Sequence, residues 1–204
     1  MPSSPMKSLV RILVESRIGH SFFDDDQINC DTALNHHLAT RMHLVKADVE
    51  TIELFLEVIG EMAEKSRGGS DEMLTTLLEE MPGDMGIVPG VDQMEDVEDP
   101  EFADDPELHP ELRPELENRL DFLLQVLVDD ILFFGLFNID PDYAREQVTK
   151  IGALLRREPP ETIKAFVSLT RKMAKEVGSD PIYRQEKNLL LNMPYDLGLL
   201  ADPR

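Results

Sequence analysis

At 204 residues and 42% hydrophobic content, the chain is long enough for one domain and too apolar to be disordered throughout. Its formal charge of −21, from 41 acidic and 20 basic side chains, argues against direct binding to a phosphate backbone and leaves basic partners, cations or simple solubility as its purpose. A single cysteine, Cys30, excludes an intramolecular disulfide and fits a reducing compartment.

In chain order, the run Leu9, Val10, Ile12, Leu13, Val14, Ile18 predicts a short helix from about Ser8, with a strand as the alternative because of its β-branched residues, and Gly19 as its stop. Arg11, Glu15 and Arg17 interrupt this run, so no secretory signal is expected. The loop that follows, HSFFDDDQINCD, exposes Phe22 and Phe23 and carries three aspartates. It does not fit a calcium loop: counting from Asp24, position 5 is Ile28 and position 6 is Asn29, where an acceptor and a glycine are needed.

Asp31 is a suitable N-cap for the longest clean pattern in the chain. Leu34, Leu38, Met42, Val45, Val49, Ile52, Leu56, Ile59 and Ala63 recur close to every 3.5 residues. Unbroken to Ser66, such a helix is on the order of 50 Å long at ~1.5 Å per residue. It serves either an internal bundle or, through positions 34–63, a homodimer. Its other face carries Glu50, Glu53, Glu57, Glu61 and Glu64. Arg67-Gly68-Gly69-Ser70 ends it, and a shorter helix is predicted from Asp71 to Met81, stopped by Pro82-Gly83.

Residues 82–113 are of different composition, rich in proline, glycine and acid, and are expected to be largely irregular. The window 71–117 holds 17 acids and one base, Arg113, whereas residues 118–204 hold 13 acids and 12 bases. Pro-Glu-Leu recurs every four residues at Pro106, Pro110 and Pro114, and the last copy leads into the most apolar stretch of the chain. That stretch, Leu116–Phe137, begins amphipathic and becomes apolar on every side after Asp129-Asp130, as a central core helix should. Arg119, Asp121, Asp129 and Asp130 leave it short of the ~18 uncharged residues of a membrane span.

Asp140-Pro141 pairs a cap with a first-turn proline and predicts a helix carrying Tyr143, Ala144, Val148 or Gln147, Ile151, Leu154 and Leu155 inward. A second helix carries Ile163, Phe166, Val167, Thr170, Met173 and Val177 inward, and Asp180-Pro181 predicts the start of a third. The two Asp-Pro starts lie 40 residues apart, the period of a HEAT-type hairpin, but share too little to establish a repeat. The tail, LLNMPYDLGLLADPR, is apolar enough to pack back. Arg145, Arg156, Arg157, Lys164, Arg171, Lys172 and Lys175 form the one basic group on the chain.

No catalytic signature stands out. Glu-x-x-His is absent, so a di-iron bundle is not expected, and His36 and His43 sit about 10 Å apart along a helix, too far for one ion. There is no nucleophile elbow, P-loop or dinucleotide fingerprint. Asp129-Asp130 is the notable acidic pair, because a buried carboxylate needs a partner.

The expectation is an all-α fold, an irregular multi-helix bundle with a long acidic, proline-rich insertion. Residues 1–81 supply the N-terminal helices, 82–113 the insertion, and 114–204 the helices that complete the same bundle. The expected function is that of a non-enzymatic interaction protein: an adaptor, assembly factor or chaperone-like binder. It would use the acidic arm and an apolar helical groove to engage a basic or apolar partner protein. The arm residues assigned to that partner are Asp92, Glu95, Asp96, Glu98, Asp99, Glu101, Phe102, Asp104 and Asp105. Two alternatives are an acidic inhibitor imitating nucleic-acid charge and a metal-dependent helical hydrolase using Asp129, Asp130 or the Glu50–Glu64 carboxylates. No cofactor, metal, nucleic acid or membrane partner is expected, and the location expected is the cytoplasm.

Overall fold

The computed structural model describes residues 5–21, 40, 41, 43, 44, 47–69, 71–87, 118–137, 139–177 and 181–201, with main chain only at 20 and 21. Among the described residues there are seven α-helices and no strand: α1 Pro5–Ser21, α2 Val49–Arg67, α3 Glu72–Asp84, α4 Arg119–Leu136, α5 Pro141–Leu155, α6 Pro160–Glu176 and α7 Arg184–Asp196. The all-α multi-helix fold is as expected. No helix of the described residues is long and apolar enough to cross a membrane.

α4 is the centre. From Leu123 to Phe134 every residue except Asp129 is buried, and α1, α5, α6 and α7 all pack against it. α1 is its neighbour across the core, with Leu9, Val10 and Val14 fully covered, and it also packs on α2 and α3. α2 with α3 and α6 with α7 form the two most extensive helix pairs, each an antiparallel hairpin closing one side of the α1/α4 core.

Caps set the helix boundaries, and several depart from the apolar pattern. The continuous 31–66 helix does not form. Asp48 stands in an extended conformation (ψ 158°) and its side chain accepts the Thr51 N–H at 2.7 Å, so α2 starts afresh at Val49. Of the 3.5-residue seam, Ile52, Ile59 and Ala63 are buried in this chain's own core, while Val49 is 59% exposed. Residues 34–39, 42 and 45 lie outside the described residues.

α1 runs through Gly19 to Ser21 rather than ending there. Gly19 is instead a point of close approach, where a Cβ would come within 2.7 Å of Gln147 Oε1. α4 begins at Arg119, not Leu116, because Asn118 is the cap and accepts the Asp121 N–H at 3.1 Å. Asp140 caps α5 as expected, holding the Asp142 and Tyr143 N–H groups at 3.0 and 2.8 Å. Pro181 opens a 3-10 turn, Pro181–Tyr183, and α7 follows from Arg184.

Two helices share one ending. α3 passes through Pro82 to Asp84, and α7 through Pro194 to Asp196. Each is closed by a glycine with positive φ, 66° at Gly86 and 67° at Gly198. In both, the N–H after the glycine reaches back to the proline carbonyl at 2.7 or 2.9 Å, while the glycine N–H bonds three residues back. This is a Schellman closure, which requires the left-handed residue. It carries Met85 and Ile87 into the core at one end, and Leu197 at the other. The tail packs back as expected: Arg156 Nη1 donates to the Leu197 carbonyl at 2.5 Å.

Candidate functional site

The acidic residues assigned to a partner, Asp92, Glu95, Asp96, Glu98, Asp99, Glu101, Phe102, Asp104 and Asp105, all lie outside the described residues. Their roots are described. Ile87, buried at 3% exposure, anchors the chain as it leaves α3, and Asn118 anchors it again as it enters α4. Met85 and Ile87, which fall within the 82–113 range expected to be irregular, belong to the packed body.

Within the body, polar chemistry concentrates where α1 crosses α4. Asp130 is 2% exposed, and Ser16 and Arg17 beside it are 5% and 3% exposed. The Ser16 hydroxyl donates to Asp130 Oδ2, and Arg17 Nη2 lies 4.0 Å from Asp130 Oδ1. Burial pulls the Arg17 guanidinium down to about 10, and the Asp130 carboxylate opposes that fall. Buried ion pairs of this kind are close to neutral for stability as a whole, yet losing one partner costs about 3–5 kcal/mol. Asp129, one residue earlier, faces the other way, with Oδ2 3.1 Å from His43 Nε2. The two aspartates thus serve different elements.

A cleft of about 690 Å³ opens between α1 and α5, lined among others by Ile12, Glu15, Ser16, Tyr143, Gln147 and Lys150. Ser16, the partner of Asp130, is part of its lining. The Tyr143 hydroxyl donates to the Gly19 carbonyl at 2.8 Å, tying α5 to α1 across the cleft's end. Burial pushes the Tyr143 phenol up to about 12, helped by Glu146 and Asp130. Burial also raises Glu15 above the ordinary carboxylate range, against the pull of Arg11, Lys65 and Arg157. Lys150 is paired with Glu146 at 2.7 Å.

Three of the five helix carboxylates considered for a metal, Glu50, Glu57 and Glu61, have structural partners. Glu57 and Glu61 hold Lys7 of α1 at 2.8 and 2.6 Å, and Glu50 with Asp48 holds Arg119 of α4. Burial alone would raise Asp48, but hydrogen bonds from Thr51 and Arg119 more than reverse this and hold it low. No group of three or more His, Cys, Asp or Glu that could hold a metal occurs among the described residues. The basic group is exposed on α5, α6 and the turn between them, at Arg145, Arg156, Arg157, Lys164, Arg171, Lys172 and Lys175.

Sequence reasoning identified Asp129-Asp130 as notable but not its partners. Ser16 and Arg17 are polar residues on an otherwise apolar face of α1, and that break in pattern is the signal pointing to them.

Fold and site together define an all-helical body with a polar core seam and a tethered acidic segment. No protein-family model matches the chain, and no curated protein or solved structure does.

Proposed function

We propose that the protein is a non-enzymatic interaction protein, an adaptor, assembly factor or chaperone-like binder of the cytoplasm, whose partner presents a basic surface. One observation carries this reading: 17 acids against one base in residues 71–117, beside 13 acids and 12 bases in the whole of residues 118–204. Such a field raises the encounter rate with cationic surfaces and repels nucleic acid. The buried Ile87 and the Asn118 cap support the reading, since they root the segment in a packed body at both ends. The α1/α5 cleft, with Ile12, Ile18, Ile151 and Leu154 among its walls, offers an apolar complement to that charge.

Removing residues 88–112 tests the proposal. The deleted chain should keep its helical circular dichroism and thermal midpoint, because every buried residue described in the body is retained. It should also stop retaining the partners that the full chain retains in a salt-sensitive pull-down. Equal retention by both chains sinks the reading. Partners eluted by competing DNA or RNA would instead support an inhibitor that imitates nucleic-acid charge.

A further inference from the structure

The shared endings of α3 and α7 extend into a correspondence that covers most of the described chain. Met81-Pro82-Gly83-Asp84-Met85-Gly86-Ile87 and Met193-Pro194-Tyr195-Asp196-Leu197-Gly198-Leu199 align without a gap. At the same shift, Leu77 and Leu78 fall on Leu189 and Leu190, and positions 72–81 match positions 184–193 in burial class at every residue. The preceding helices align too, at a shift one residue shorter and with most burial classes kept. Thr51, Ile52, Phe55, Met62 and Ala63 of α2 are repeated as Thr162, Ile163, Phe166, Met173 and Ala174 of α6. The two largest of these are among the most deeply buried side chains, Phe55 at 1% and Phe166 at 0%. Even the unusual choice of a buried threonine in the first turn recurs, with Thr51 at 1% and Thr162 at 3%. Just upstream, Leu44 takes the place of Leu155, each 1% exposed.

The central helices complete the set. Leu9, Leu13 and Val14 of α1 correspond to Leu123, Leu127 and Val128 of α4. From position 6 to 17 against 120 to 131, only Arg11 and Gln125 differ in burial class. The packing corresponds as well: α1 lies on α2 and α3 as α4 lies on α6 and α7. In that register Ser16 is the equivalent of Asp130, 114 residues on, and these two hydrogen-bond to each other. A residue that touches its own equivalent lies at a two-fold axis. Stacking along a solenoid, as a HEAT-type period implies, brings repeats side by side and cannot do this.

We infer that the chain is a tandem duplication of one helical unit. The α1/α4 seam is then the interface between two copies, with a pseudo-two-fold axis passing between Ser16 and Asp130. The partner this surface fits is another copy of the unit, and the seam has been made specific for unlike copies. One copy contributes Ser16-Arg17 and the other Asp130-Ile131 at the same two positions. Two copies of the second kind would bury Asp130 against itself. Two copies of the first would bury Arg17 twice with no carboxylate at the axis.

Exchanging the seam residues tests this in the full chain. Ser16→Asp with Arg17→Ile, or Asp130→Ser with Ile131→Arg, makes the two sides alike, and each pair should lower the thermal midpoint by about 10 °C. All four substitutions together restore the complementary pair with the sides exchanged, and should recover more than half of that loss. An asymmetric core has no reason to recover, so a four-fold variant no more stable than the worse half-exchange overturns the inference. A protease site placed within residues 88–117 provides the second measurement. After cleavage the halves should co-elute as a one-to-one complex with unchanged helicity, and separation or unfolding would count equally against the duplication.

Discussion

The α2–α3 and α6–α7 hairpins have the same interior and opposite exteriors. Inside, the residue kept is often identical: Phe55 and Phe166, Leu78 and Leu190, Met81 and Met193. Outside, Glu53, Glu61, Glu64 and Glu72 stand where Lys164, Lys172, Lys175 and Arg184 stand, and Lys65 stands where Glu176 does. The reversal extends to α1 and α4, since Lys7, which holds Glu61, has Asp121 as its equivalent. A close-packed interior resists change of even one methylene, whereas an exposed helix position accepts either sign at little cost. The scaffold is therefore common to both halves, and whatever distinguishes them for a partner lies in surface charge. An acidic hairpin leads into the acidic segment, and a basic hairpin ends the chain.

The largest effects should come from the shared interior. Phe55→Ala and Phe166→Ala should each cost about 3–5 kcal/mol in urea unfolding, because both rings are fully enclosed. If the halves are the same unit, the two costs should agree to about 1 kcal/mol, and the double variant should show their sum. A cost below about 1 kcal/mol at one site only would break the equivalence of the two hairpins.

Smaller effects are expected at the paired endings. Gly86→Ala and Gly198→Ala each place a side chain at a left-handed φ, for about 1–2 kcal/mol apiece. Gly86 should be the more sensitive. A Cβ there meets Arg41 Nε at 2.5 Å, whereas at Gly198 the nearest atom, Arg156 Nη1, is 3.0 Å away, and both are flexible side chains. Thermal midpoints of the two variants measure the difference, and a neutral result at both would show that the Schellman closure is not needed.

Much of the fold was legible because it rests on local rules. The all-round apolar run of α4, the Asp140-Pro141 start and most of the inward face of α6 follow from periodicity and capping, although Ile163, read as inward, is only half-buried. The α2 seam misled because apolar spacing is blind to a side chain that competes for the main chain. Asp48 satisfies the first turn of a new helix, so a 3.5-residue pattern crosses a real boundary. Pro82 misled in the opposite direction. A proline in the last turn loses only one hydrogen bond, and the glycine at 86 is the true stop. The duplication was present in Met-Pro-x-Asp-x-Gly, at Met81 and at Met193, but a 40-residue period passes over a unit more than twice as long. What no reading of one strand of sequence could supply is the Ser16–Asp130 contact, since its meaning depends on two residues 114 apart meeting at an axis.

The smallest expected effect separates Glu15 from Asp129, which occupy equivalent positions on α1 and α4. Asp129 meets the His43 imidazole, while Glu15 lines the α1/α5 cleft, where burial raises it. A carboxyl raised in the folded state binds its proton more tightly there than in the unfolded chain. Its contribution is therefore fully present below the unfolded value near 4.5 and is lost as pH climbs through the higher folded value. Glu15→Gln removes that dependence: the variant should match the parent near pH 4 and exceed it near pH 7, by about a degree or two in thermal midpoint. A parent that instead gains stability on Glu15 ionisation would mean that Arg11, Lys65 and Arg157 outweigh burial. Glu15 would then belong with Arg11 and Lys65, beside which it lines a second cleft on the α2 side of α1, rather than with the α1/α5 cleft.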